Sequence, residues 1–275
     1  MEPDAKLAAL VQLLEDPSPT VSAAVDDALR AYGQDLPAAL ARAQITPDQA
    51  QSRRLEELTA PARRATLIGA WSKALAHLDG LDLLEIALSY LAAYFSPWDA
   101  RPDQLSTSLD ELAQSARLAP EEPDASPTSL ARWLFSGPSP MLSGDVETYS
   151  ESHNANLLSV LRRRAGNPIS LCCIYMLVGR RLGLEIGGCN FPGHFLARYT
   201  DEAGTWLVDC FNGGQIIPAL ELARHHQLAN PTFAEVALRD TTPEAILMRF
   251  LRNLQATLPD RILLDALSRL LLTYP

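Results

Sequence analysis

Two residues near the middle of the chain have the types and the spacing for joint acid–base chemistry. His194 opens one segment of strand character and Asp209 closes the next, with Asp201–Gly204 reading as the hairpin turn between them. Neighbouring antiparallel strands set such a pair side by side, so the carboxylate holds the imidazole tautomer and orients the ring. A helix start faces them: Gly166-Asn167 precedes an apolar helical run from Pro168 to Leu182, stopped by Gly183. Free N–H groups and the dipole at a helix start stabilise a thiolate, and a thiolate beside a His–Asp pair performs acyl transfer.

The nucleophile is the open question. Ser170 lies in the first turn, where His194 can deprotonate it or where it can simply bond at the helix start. Cys172 lies deeper, facing the sheet in apolar company, which raises a thiol pKa and leaves it inert. Pro168 with Asn167 before it has a complete reading as N-cap followed by proline at the first helical position. Cys173 is rotated to another face, and Cys189 and Cys210 sit in strands. Cys189, His194 and Cys210 match no zinc-ligand spacing, so neither a metal nor a cofactor is expected. The cysteines form no C-x-x-C pair, and reduced thiols in the cytoplasm are the expectation.

The elements that must position these groups follow from periodicity. Leu7, Leu10, Val11 and Leu14 share one helical stripe, and Val21, Ala24, Val25, Ala28 and Leu29 another. Thr46-Pro47 reads as a helix start, and further helical patterns cover 67–78, 81–95 and about 102–118. Five prolines and two glycines then fall within 119–150, a connection interrupted by a short helix near Leu130–Phe135. The segments 184–190, 194–200, 206–211 and 215–217 have strand character, and helices return at 218–228, 243–258 and 260–273. The expected organisation is a helical N-terminal region over 1–118, the connection over 119–150, a core over 151–240 and a C-terminal helical hairpin over 241–275. The expected class is α+β.

Composition narrows the function. With 33 acidic and 23 basic residues the net charge is −10, which repels a phosphate backbone, so no nucleic-acid partner is expected. Arg162, Arg163 and Arg164, the densest basic run, read as a solvated helix face. No stretch approaches the roughly 18 apolar residues of a membrane span, and the opening with Glu2, Asp4 and Lys6 does not read as a secretory leader.

The segments R-R-A-G-N-P-I-S-L (163–171), R-R-L-G-L (180–184), P-G-H-F-L (192–196) and V-D-C-F-N-G-G (208–214) resemble the transglutaminase-like superfamily, and more narrowly its bacterial SirB-one-type (transglutaminase core-two) branch. I-L-M-R-F-L-R-N-L (246–254) and L-L-E-D-P (13–17) resemble the same branch. The resemblance implies a central helix packed on a small antiparallel sheet, with the C-terminal hairpin corresponding to the start of tetratricopeptide-like helices. It also assigns positions. The superfamily pattern G-x-C-x-x-x-A followed by R-x-x-G falls on Gly166, Pro168, Cys172, Arg180 and Gly183. His194 and Asp209 then match base and orienter, and Pro168 stands at the nucleophile-equivalent position. Asn167, Phe195, Trp206 and Asn212 are expected to line the cleft. The implied function is a non-catalytic interaction or regulatory protein that takes a protein or peptide partner. The alternative is an amide hydrolase or acyltransferase using Ser170 or Cys172. Oligomeric state is not legible.

Overall fold

Helix starts and stops in this chain follow its side-chain caps, proline positions and glycines. The structure, a computed structural model, describes residues 3–96, 98, 103–119, 126–148, 151–227, 231–257 and 260–273. The acidic stretch 120–125 of the proline-rich connection lies outside them. The chain forms two compact units, 1–72 with 96–99, and 73–95 with 100–275.

The first unit is helical. It contains α1 (Pro3–Gln12), α2 (Pro19–Arg30), α3 (Leu36–Arg42) and most of α4 (Gln49–His77). Leu7, Val11, Val25, Leu29, Leu36, Leu40 and Leu55 form its core, as the apolar stripes require. α4 begins two residues after the Thr46-Pro47 signal, because Asp48 and Gln51 make a reciprocal cap. The Asp48 carboxylate accepts from the Gln51 N–H at 2.9 Å, and the Gln51 side chain accepts from the Asp48 N–H at 3.1 Å.

The second unit is α+β and carries the site. Its elements are α5 (Gly80–Phe95), α6 (Gln104–Arg117), α7 (Pro127–Phe135), β1 (Ser143–Gly144), α8 (Leu157–Arg163), β2 (Ala165–Gly166) and α9 (Pro168–Arg181). Then come β3 (Gly187–Cys189), β4 (Leu196–Asp201), β5 (Gly204–Asp209), β6 (Gln215–Pro218), α10 (Ala219–Gln227), α11 (Pro231–Leu238), α12 (Pro243–Thr257) and α13 (Arg261–Thr273). β3 to β6 form one antiparallel sheet in sequential order, and β1 pairs in parallel with β2.

α5 and α6 belong with this unit rather than with the first helices, so the compact division does not follow residue 118. α5, with Leu83, Leu84, Leu88 and Leu91 buried, packs on α6, α8 and α12, and Arg181, whose side chain is 15% exposed at the end of α9, adds a polar tie. It donates to Glu85 of α5 at 2.7 Å and to Asp110 of α6 at 2.5 Å. A charge this withdrawn from water needs both carboxylates, and satisfying it ties three helices together.

α9 is the central helix. Every residue from Pro168 to Gly179 is buried, as expected of a helix apolar on all sides. Its end is made by Gly183, at φ +77°, whose N–H reaches the Arg180 carbonyl at 3.0 Å while the Leu184 N–H reaches Gly179 at 2.9 Å. A Cβ added at Gly183 would meet nothing within 4 Å, so Gly183→Ala introduces backbone strain alone. We expect a loss of about 1 kcal/mol, read as a thermal midpoint lowered by a few degrees; an unchanged midpoint would put the helix stop elsewhere.

Candidate functional site

The turn Phe191–His194 delivers the imidazole. The His194 N–H donates to the Phe191 carbonyl at 3.1 Å, and β4 starts two residues later. Asp209 is the last residue of β5, next to β4 in the sheet. Its Oδ1 lies 2.8 Å from His194 Nε2. The carboxylate is held further by Asn212, whose N–H donates to Oδ1 at 3.1 Å and whose side-chain amide donates to Oδ2 at 2.8 Å. Burial alone would raise the Asp209 pKa; the hydrogen bonds from His194 and Asn212 outweigh it and keep the carboxyl below the usual carboxylate range. Opposite an ionised Oδ1, Nε2 carries the proton, which leaves Nδ1 as an acceptor with no partner among the described residues. The Phe211 ring stands edge-on to the imidazole, with centroids 6.3 Å apart.

At the start of α9, neither candidate nucleophile is hydrogen-bonded to His194. Asn167 is the N-cap, its side chain accepting from the Ser170 N–H at 3.0 Å, and Pro168 takes the first helical position. The Ser170 hydroxyl is fully buried and donates to the Asn154 carbonyl at 2.6 Å, away from His194. The Cys172 thiol is also fully buried and donates to the Phe195 carbonyl at 3.5 Å. Burial, reinforced by the neighbouring Cys210, pushes the Cys172 pKa well up. That contact sets the second turn of α9 against the residue following His194, one turn deeper than Pro168.

A polar network braces the helix start from outside. Asp145 accepts from the Thr148 N–H at 2.9 Å, from its hydroxyl at 2.5 Å, and from Arg163. These bonds, the Thr148 hydroxyl foremost, hold the Asp145 carboxyl far below the usual range. The Asn154 side chain donates to the Thr148 carbonyl at 2.6 Å and accepts from Arg163 at 3.1 Å, while its own carbonyl takes the Ser170 proton. Sequence reasoning missed this brace. Arg163 reads as one of three solvated arginines, and the only available signal was the pair Asn154 and Asn156 just before a helix.

Two expected cleft residues stand elsewhere. Phe195 is 2% exposed, its ring packed against Gly188 in the core. The Trp206 indole donates to Asp201 at 2.9 Å, at the tip of the hairpin rather than at the end that carries Asp209. Asn167 caps α9, and Asn212 bonds the Asp209 carboxylate. Among the described residues, no group of three or more His, Cys, Asp and Glu is placed to hold a metal, and no helix is long and apolar enough to cross a membrane.

Comparison with known proteins bears on the family of the chain. The sequence profile described as the transglutaminase-like superfamily matches residues 103–252, more than half of the chain and all of the site. A UPF0162 protein of Xylella fastidiosa (strain Temecula1) is 37% identical over 171 residues, covering 58% of this chain and 60% of the relative. A UPF0162 protein of Vibrio cholerae is 44% identical over 73 residues, 26% of this chain and 27% of the relative. F-box only protein 21 of Mus musculus is 38% identical over 69 residues, 25% of this chain and 11% of that protein. The chain thus spans about three fifths of the length of the first curated relatives it matches. No solved structure matches it significantly. By the profile match across its central helix, its sheet and its His–Asp pair, the chain belongs to the transglutaminase-like superfamily.

Proposed function

We propose that this chain is a non-catalytic member of its superfamily, an interaction or regulatory protein whose cleft binds a protein segment instead of cleaving or joining one. The observation that carries the reading is Pro168 at the start of α9. Proline there removes two groups at once: a side-chain nucleophile, and the backbone N–H that could stabilise an oxyanion. Neither substitute is available, since the Ser170 hydroxyl is committed to Asn154 and the Cys172 thiol to Phe195. What remains is a recognition surface, an acceptor nitrogen backed by a carboxylate beside the Phe211 ring. The four unpaired, buried cysteines favour a reducing compartment, the cytoplasm, as its place of work.

The test is chemical. Iodoacetamide should label none of the four cysteines quickly in the folded protein, and hydrolysis of generic amide and thioester substrates should stay at background. Rapid, pH-dependent labelling of Cys172 that disappears in His194→Ala would show a working Cys–His pair and replace this reading by a cysteine hydrolase. Activity lost in Ser170→Ala, with stability intact, would replace it by a serine enzyme.

A further inference from the structure

We infer that Asn212 is a positioning residue of the cleft: it fixes the Asp209 carboxylate and, through it, holds His194 in the single tautomer that presents Nδ1 to a ligand. The inference rests on the reading of this site as a recognition cleft, and it concerns how the acceptor nitrogen is kept in place.

A carboxylate at a strand end turns readily about its terminal torsion, so one bond from an imidazole does not set its plane. Here both oxygens are engaged. Oδ1 takes His194 Nε2 at 2.8 Å and the Asn212 N–H at 3.1 Å, while Oδ2 takes the Asn212 amide at 2.8 Å. The Asn212 residue is itself solvent-exposed, so no packing demand explains a carboxamide at this position. Its donation to Oδ2 does.

The turn that brings it there is rigid. The Gly214 N–H donates to the Asp209 carbonyl at 2.9 Å, closing the turn, and the Ser136 hydroxyl donates to the Gly213 carbonyl at 2.6 Å, fastening the turn to the end of α7. Gly213 and Gly214 adopt φ of +73° and +70°, and a Cβ at Gly214 would lie 3.0 Å from the Ala131 carbonyl and 3.2 Å from Phe135. The backbone therefore presents the Asn212 amide from a fixed direction. Removing that amide frees Oδ2 to turn toward water, weakens the fixed geometry at Oδ1, and releases the bias on the imidazole.

The experiment reads the His194 ring nitrogens by long-range ¹⁵N correlation, above the pH at which the imidazole titrates. The wild-type ring should show a protonated Nε2 and an unprotonated Nδ1. Asn212→Ala should raise the share of the other tautomer severalfold, and Asn212→Leu, which keeps about the same size but removes the donor without adding charge, should do the same. A residue that served only the turn would lower the thermal midpoint and leave the tautomer alone; that result, or a tautomer mixture already in the wild type, overturns the inference. If Asn212→Ala does not fold, Asn212→Leu decides. Amide and thioester hydrolysis is followed on the same samples. Turnover by the wild type would sink the non-catalytic reading while leaving the tautomer result to stand or fall on its own.

Discussion

Ile174→Asp should leave no soluble folded protein. Ile174 is fully buried in the middle of α9, within a run in which every residue from Pro168 to Gly179 is buried. α6, α7 and α8 pack on this helix, as do β3 and β4, so no side of it opens to water for a carboxylate. The fit is close: a Cβ on Gly179 would come within 2.5 Å of the Ile186 side chain. Deleting the isoleucine costs about 2–5 kcal/mol, and an unpaired carboxylate in its place costs several more. The sum is comparable to the whole stability of a typical domain, about 5–15 kcal/mol. Ile174→Val, by contrast, should cost only about 1 kcal/mol and remain soluble. The measurement is the soluble fraction on expression, with circular dichroism of whatever is recovered; a well-folded Ile174→Asp protein would show that α9 is not the core helix.

The central helix and the dyad were legible in the sequence for local reasons. Asn167-Pro168 and Gly183 bracket an apolar run, and a hairpin turn brings His194, just before β4, beside Asp209 at the end of β5; both signals lie within a few residues of what they specify. Features set by distant partners were not legible. Arg163 and Arg181 look like any other arginines, yet one braces the helix start through Asp145 and Asn154 while the other draws α5 and α6 onto α9. α11 escaped notice because Pro231–Leu238 is short and lacks a strong helical stripe. The two-residue pairing of β1 with β2 has no periodicity to detect. The resemblance sets Phe195 and Trp206 in the cleft, whereas the Phe195 ring packs in the core against Gly188 and Trp206 bonds Asp201 near the hairpin tip.

Pro168→Cys should create a reactive thiol in a chain whose four cysteines are all buried. Residue 168 lies four positions before Cys172, on nearly the same helical stripe, and the Cys172 thiol touches the carbonyl of the residue next to His194. One turn nearer the helix start, a thiol at 168 would stand at the first position of a 14-residue helix, where the proposed assignment sets it before the imidazole. The substitution also restores a backbone N–H there, and the helix dipole, His194 and Asp209 all act on the introduced sulfur. Its thiolate should form near or below about pH 7, against about 8.5 for a free cysteine. Iodoacetamide should then modify it at least tenfold faster than Cys172, Cys173, Cys189 or Cys210, which are all buried. Thiolate ultraviolet absorbance followed against pH gives the same answer without asking a reagent to enter the cleft. His194→Ala in this background should return the thiol to ordinary behaviour, and Asp209→Asn should move it part of the way, because the orienting carboxylate is lost but the imidazole stays. Since proline at a first helical position stabilises by about 0.4–1 kcal/mol, the variant should remain folded, which makes a silent thiol informative. A folded Pro168→Cys protein whose new thiol titrates and alkylates like a free cysteine would mean that the His194–Asp209 pair does not address the helix start. The assignment of Pro168 to the nucleophile position would then fall, and the non-catalytic reading would lose the observation that carries it.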